Sequence, residues 1–125
     1  MKIKRFEDIQ AWQEARILTN MIYEAVRSNK NFDRDLRFKG QITAAGVSTM
    51  SNTAEGFDSQ SNIEFIKFLI YSRRSCSEVK SHLYVALDQK YIRKEIFDEI
   101  YKQAVKVKEL IGGFIRYLRN SKRRT

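Results

Sequence analysis

The sequence predicts an all-α fold, an antiparallel up-down four-helix bundle. Three observations carry that expectation. The 125 residues contain no proline and only five glycines, apolar residues recur at alternating spacings of three and four, and short polar breaks leave four long segments. A β-rich domain of this size needs more turn punctuation. With 42% hydrophobic residues the chain has material for one core, and its length suits one domain. The expected division is a bundle domain over residues 1–120 and a basic flexible tail over residues 121–125.

The first helix is expected from about Asp8 to Ser28, with Ala11, Ala15, Leu18, Ile22 and Ala25 as its stripe, widened by Trp12 and Val26. Ser28, Asn29, Lys30 and Asn31 form a polar run suited to a turn. The second helix is expected from about Arg34 to Glu55 behind Asp33 as N-cap, its stripe being Leu36, Thr43, Val47, Met50 and Ala54. Gly40 and Gly46 each lower helix propensity by about 1 kcal/mol relative to alanine, so they predict close approach of another backbone. Gly56 is positioned to cap the C-terminus.

The third helix opens with Ser61-Asn62-Ile63-Glu64, a capping box. Its stripe runs Phe65, Leu69, Ser72, Cys76, Val79, Leu83, Ala86, to about Asp88. The fourth is expected from about Lys94 to Asn120, with Ile96, Ile100, Ala104, Val107, Ile111, Phe114 and Leu118 facing the core and Phe97, Tyr101 and Leu110 beside them. The third helix is apolar on more than one side, from Ile63 through Tyr71. That excess predicts a subunit interface.

Catalysis is not expected. His82 is the single histidine, Cys76 the single cysteine, and no Glu-x-x-His pair is present for a carboxylate-bound metal. No cofactor and no metal are therefore expected. Gly112-Gly113 lacks the strand and Gly-Lys-Ser/Thr context of a phosphate loop. The N-terminus does not read as a signal peptide, because Glu7 and Asp8 stand where an apolar segment would begin. The most apolar stretch falls well short of the roughly 20 residues a membrane span requires. A cytoplasmic location is the resulting expectation.

The formal net charge is +9, and residues 91–125 carry ten basic residues against four acidic ones. Such a basic end favours polyanionic partners. The residues expected to meet phosphates are Lys102, Lys106, Arg116, Arg119, Lys122, Arg123 and Arg124, read as a solvent-facing row with Tyr117 beside it for base stacking. Separately, Ser48, Ser51, Asn52 and Glu55 share one helical face. They are read as a structural polar network with Arg73 and Arg74 as charged partners of Glu55, and a polar binding site is the alternative.

Several motifs carry a family resemblance. They are Phe6-x-x-Ile9-x-x-Trp12-Gln13-x-Ala15, Gln41-Ile42 ahead of Val47-Ser48, Ser51-Asn52-x-Ala54-Glu55-Gly56, Ser61 to Phe68, and Arg74-Ser75-x-x-Glu78. Together they resemble the bacterial four-helix bundle proteins some of which are encoded by intervening sequences in 23S ribosomal RNA genes. The resemblance implies a four-helix bundle and a homopentamer, and no established activity. Where that family has arginines before the alanine of the second helix, this chain has Thr43-Ala44-Ala45-Gly46, so a role attached to those arginines does not carry over. The accessory protein of diversity-generating retroelements is a more distant likeness. It is a basic pentameric barrel that binds nucleic acid and a reverse transcriptase.

The expected function is thus a non-enzymatic homo-oligomer that binds nucleic acid, RNA before DNA, through basic surfaces. The alternative is a protein–protein scaffold or accessory subunit that recruits a partner enzyme such as a reverse transcriptase.

Overall fold

The computed structural model describes residues 3–121. A 3-10 turn, Phe6–Asp8, leads into α1 (Gln10–Arg27), followed by the short α2 (Lys30–Arg34) and the long α3 (Leu36–Asp58), α4 (Asn62–Asp88) and α5 (Lys94–Arg119). The fold is all-helical, with no strand among the described residues. α1 packs against α3 and α5, and α4 packs against the same two. Each long helix therefore has two long neighbours, and the core lies between the four.

Local chemistry sets the boundaries. Asn29 Oδ1 accepts from the Phe32 amide at 2.9 Å and starts α2, and Asp35 Oδ1 accepts from the Phe38 amide at 3.2 Å and starts α3. The expected turn at Ser28–Asn31 is therefore partly helical, and the cap of α3 falls two residues later than expected. Asp33 instead pairs with Lys39 at 2.8 Å. The short helix persists because it buries Phe32, whose ring stacks on Tyr91 at 5.0 Å and on Phe38 at 5.7 Å. Ser61 Oγ accepts from the Glu64 amide at 3.4 Å and opens α4. Glu64 turns to Lys67 at 3.8 Å rather than completing the box. Gln60 and Lys90, both at left-handed φ, turn the chain after α3 and after α4.

The expected stripe of α4 is buried throughout, and that of α5 nearly so, with Phe97 and Ile115 taking the places of Ile96 and Phe114. The stripe expected on α3 is buried only at Thr43 and half-buried at Met50 and Ala54. Leu36 is 72% exposed and Val47 is exposed, while Ile42, Thr43, Ala45, Gly46, Thr49, Thr53 and Gly56 face inward. The physical reason is that threonine hydroxyls here bond carbonyls one turn back. Thr49 donates to Ala45 O at 2.9 Å and Thr53 to Thr49 O at 3.1 Å, which removes the cost of burying them. A face of threonine, alanine and glycine then lets α1 and α4 come close.

Gly46 fits that role, since a Cβ there would lie 3.2 Å from Ile22 Cδ1 and from Thr19 Oγ1. Gly56 is no cap. It lies inside α3, buried, where a Cβ would stand 2.7 Å from Phe65 Cδ1 and 2.9 Å from Phe68 Cβ. Gly40 corrects the other expectation, because nothing lies within 4 Å of its missing Cβ.

Candidate nucleic-acid interface

Of the polar face on α3, Ser48 and Asn52 do join a network. Asn52 Nδ2 donates to Ser48 O at 2.9 Å and to Ser48 Oγ at 3.0 Å, and the Ser48 and Ser75 hydroxyls share a bond of 2.8 Å. The deeper part of that network involves residues that hydropathy does not pick out as partners. Ser72 Oγ donates to Thr49 O at 2.7 Å, and its oxygen lies 3.1 Å from Thr53 Oγ1. Ser51 is half-buried at the edge. Glu55 is exposed, and neither Arg73 nor Arg74 pairs with it among the described residues. Arg73 instead lines a groove with residues of α5, and Arg74 is exposed.

The two chemically versatile singletons are engaged locally. His82 Nε2 lies 3.2 Å from Glu78 Oε2, with its ring edge-on to Phe38. Cys76 is buried and donates to Ala104 O at 3.2 Å. Burial pushes its thiol up to about 11, against the pull of Lys80 and Lys108, so it stays neutral near pH 7.

The expected row of cations on α5 divides. Lys106 turns towards α1 and pairs with Glu14 at 3.2 Å, beside a hydrogen bond from Gln103 Nε2 to the same carboxylate at 2.9 Å. The Gln103 bond and the Lys106 ammonium together hold Glu14 below the usual carboxylate range. Lys102 and Arg119 are exposed. Tyr117, 62% exposed, lies on the α1 side with Ile3, Ile9 and Leu110, not beside Arg116. Lys122, Arg123 and Arg124 lie outside the described residues.

Arg116 instead meets residues from the neighbouring helix. With Arg73 and Lys80 of α4 and Lys108 of α5 it lines a groove of about 380 Å³, whose remaining lining is Val105, Glu109 and Gly112. Four cations face one carboxylate there, and none forms an ion pair among the described residues. Gly112 is part of that lining, and at Gly112 and Gly113 alike an added Cβ would meet only the Arg116 guanidinium within 4 Å, at 3.6 Å. Lys80 and Lys108 were not among the expected contacts. The available signal was their position, each one residue from a buried stripe residue, Val79 and Val107.

The family model for 23S rRNA-intervening sequence proteins matches residues 7–113. The chain belongs to that family. Its match covers both sides of the groove except Arg116. A crystal structure from Bacteroides thetaiotaomicron, of a protein with unknown function from the S23 ribosomal protein family, is similar with a TM-score of 0.78. The two share 20% identity over 85% of this chain and 98% of that one. No curated protein matches the chain.

Proposed function

We propose that this 23S rRNA-intervening sequence protein is a non-enzymatic, homo-oligomeric bundle that binds nucleic acid through basic surfaces. One observation carries the reading. On α4 and α5, the cations Arg73, Lys80, Lys102, Lys108, Arg116 and Arg119 have no carboxylate partner among the described residues, in a chain of net charge +9. Such cations gain affinity by releasing counterions from phosphates. RNA is placed before DNA, as the sequence reading has it, and a cytoplasmic location goes with it. No helix among the described residues is long and apolar enough to cross a membrane.

The four long helices are read as an antiparallel up-down bundle. Contacts between α3 and α4 pair Ser48 with Ser75 and Thr53 with Ser72, descending on one helix as they rise on the other. Between α4 and α5, Phe65 meets Phe114 and Tyr84 meets Phe97 in the same sense. Ala11 lies with Phe114 and Ala25 with Ile96 along α1 and α5.

Self-association is supported by the outer face of α3. Leu36, Gly40, Ala44 and Val47 follow one another at helical spacing and all are exposed, a small apolar strip suited to a second copy. The pentamer is taken from the family resemblance. The same strip would serve the alternative reading, a scaffold for a partner protein.

The test is binding of labelled structured RNA and duplex DNA across a salt series, with subunit number from light scattering. Affinity falling linearly on a log–log plot supports phosphate contacts. Charge reversal at Arg116 and Arg119 should weaken binding without unfolding the protein. No binding at low salt, with nuclease-insensitive capture of one stoichiometric protein, would transfer the assignment to the scaffold.

A further inference from the structure

We propose that the α4/α5 face is a track for single-stranded nucleic acid, with phosphates in the Arg73–Lys108–Arg116 groove and an unpaired base on Tyr84. This rests on the nucleic-acid reading above and adds the strand form, the site and the polar-to-aromatic order along it.

The cationic end is built to receive charge. Arg73, Lys80 and Lys108 are half-buried, so their stems lie on the helices while their charged heads stay in the groove. Unpaired like charges side by side repel one another, and a phosphodiester relieves that repulsion. At Gly112 and Gly113 no side chain other than that of Arg116 lies within 4 Å of where a Cβ would be, so its guanidinium has room over the helix backbone. Guanidinium is the group best shaped to grip phosphate oxygens in pairs.

An aromatic cluster adjoins the groove at Lys80. Lys80 Nζ lies 5.2 Å from the Tyr101 ring centroid, so it joins the cations to an aromatic cluster. Tyr84 meets Tyr101 at 5.8 Å and Phe97 at 4.9 Å, yet is 51% exposed. Those neighbours hold the ring in place while leaving part of it open to solvent. From Arg116 to Tyr101 is about 22 Å along α5 by helical rise, the length of a strand segment rather than of one ion. Bases in a duplex are stacked on one another, so only an unpaired base can use the Tyr84 ring. An acidic peptide would satisfy the cations and leave that ring without a role.

The experiment uses the full chain and a fluorescein-labelled oligo(U), with oligo(dT), a duplex of equal length and polyglutamate as comparisons. Oligo(U) is expected to bind at least about tenfold more tightly than duplex at equal salt. Arg73→Gln with Lys108→Gln should weaken binding and lower the salt slope by about 1.4, at about 0.7 per single-strand phosphate contact. Tyr84→Ala should cost about tenfold in affinity with the slope unchanged. Because that ring packs on Phe97, Tyr84→Leu, which keeps apolar packing and removes the π-face, is measured beside it, with thermal melts of both. Arg27→Gln on α1 is the control for general loss of charge.

Oligo(U) binding that ignores the groove and Tyr84 changes would overturn the track and leave the nucleic-acid reading standing. Duplex or polyglutamate binding as tightly as oligo(U) would likewise overturn it. No binding of any nucleic acid at low salt would remove both.

Discussion

Helix α4 meets α3 along one side and α5 along the other, and the two seams are made of different material. Towards α3 it presents Ser72 and Ser75, whose hydroxyls are bonded to Thr49, Thr53 and Ser48. Towards α5, next to Ser72 in sequence, it presents Arg73, which lines the groove with Lys80, Lys108 and Arg116. In the first seam, short side chains satisfy one another and admit no ligand. In the second, long side chains flank the buried contacts of Cys76 and Phe65 and leave their charges without partners among the described residues. Polar residues at a helix contact thus have two outcomes, set by length and by whether a partner lies within reach.

The largest effect is expected where the closed seam has no spare volume. Gly56→Ala places a methyl 2.9 Å from Phe68 Cβ, an atom fixed to the α4 backbone, and should lower unfolding free energy by about 2–3 kcal/mol. Chemical denaturation reads this, and a neutral result would mean that the seam is looser than described. Ser72→Ala removes the donor to Thr49 O and should cost about 1 kcal/mol while leaving affinity for nucleic acid unchanged.

The α1/α5 contact sharpens the comparison from outside α4. Glu14 is held below its ordinary range in the fold, so its contribution is present at neutral pH and disappears as pH falls through that lowered value. Glu14→Gln should therefore destabilise the protein at pH 7 by about 1 kcal/mol, as for a partly exposed ion pair with one hydrogen bond. The gap to the parent should close in acid, as thermal melts across pH will show. The smallest effect is expected at Glu55. It is exposed without an ion pair among the described residues, so Glu55→Ala should leave the melting temperature of the subunit unmoved. A change in subunit number, measured by light scattering, would place Glu55 at a contact between copies.

The helices of the fold were legible where size and hydropathy agree. The buried face of α4, Phe65 through Ala86, follows spacings of four and three without exception. The face of α3 was legible only at Thr43 and Met50, because hydropathy ranks Leu36 and Val47 above Thr49 and Thr53, and the burial of threonine depends on its bond to a carbonyl one turn back. The short α2 escaped because five residues are too few to show a period, though Asn29 and Asp35 mark its two ends as successive caps. At the candidate site the excess of charge was readable and its placement was not. Lys106 faces Glu14 and Arg116 faces Arg73 only because α5 lies between α1 and α4. No pattern along α5 alone contains that fact.

The two seams of α4 are tested most directly by adjacent residues measured side by side. Binding of labelled oligo(U) and thermal stability are compared for Ser72→Ala and Arg73→Gln in the full chain. The account predicts that Ser72→Ala lowers stability and keeps affinity, while Arg73→Gln weakens binding severalfold and keeps stability. An Arg73→Gln protein that binds as tightly as the parent, or a Ser72→Ala protein that is equally stable but binds poorly, would contradict it.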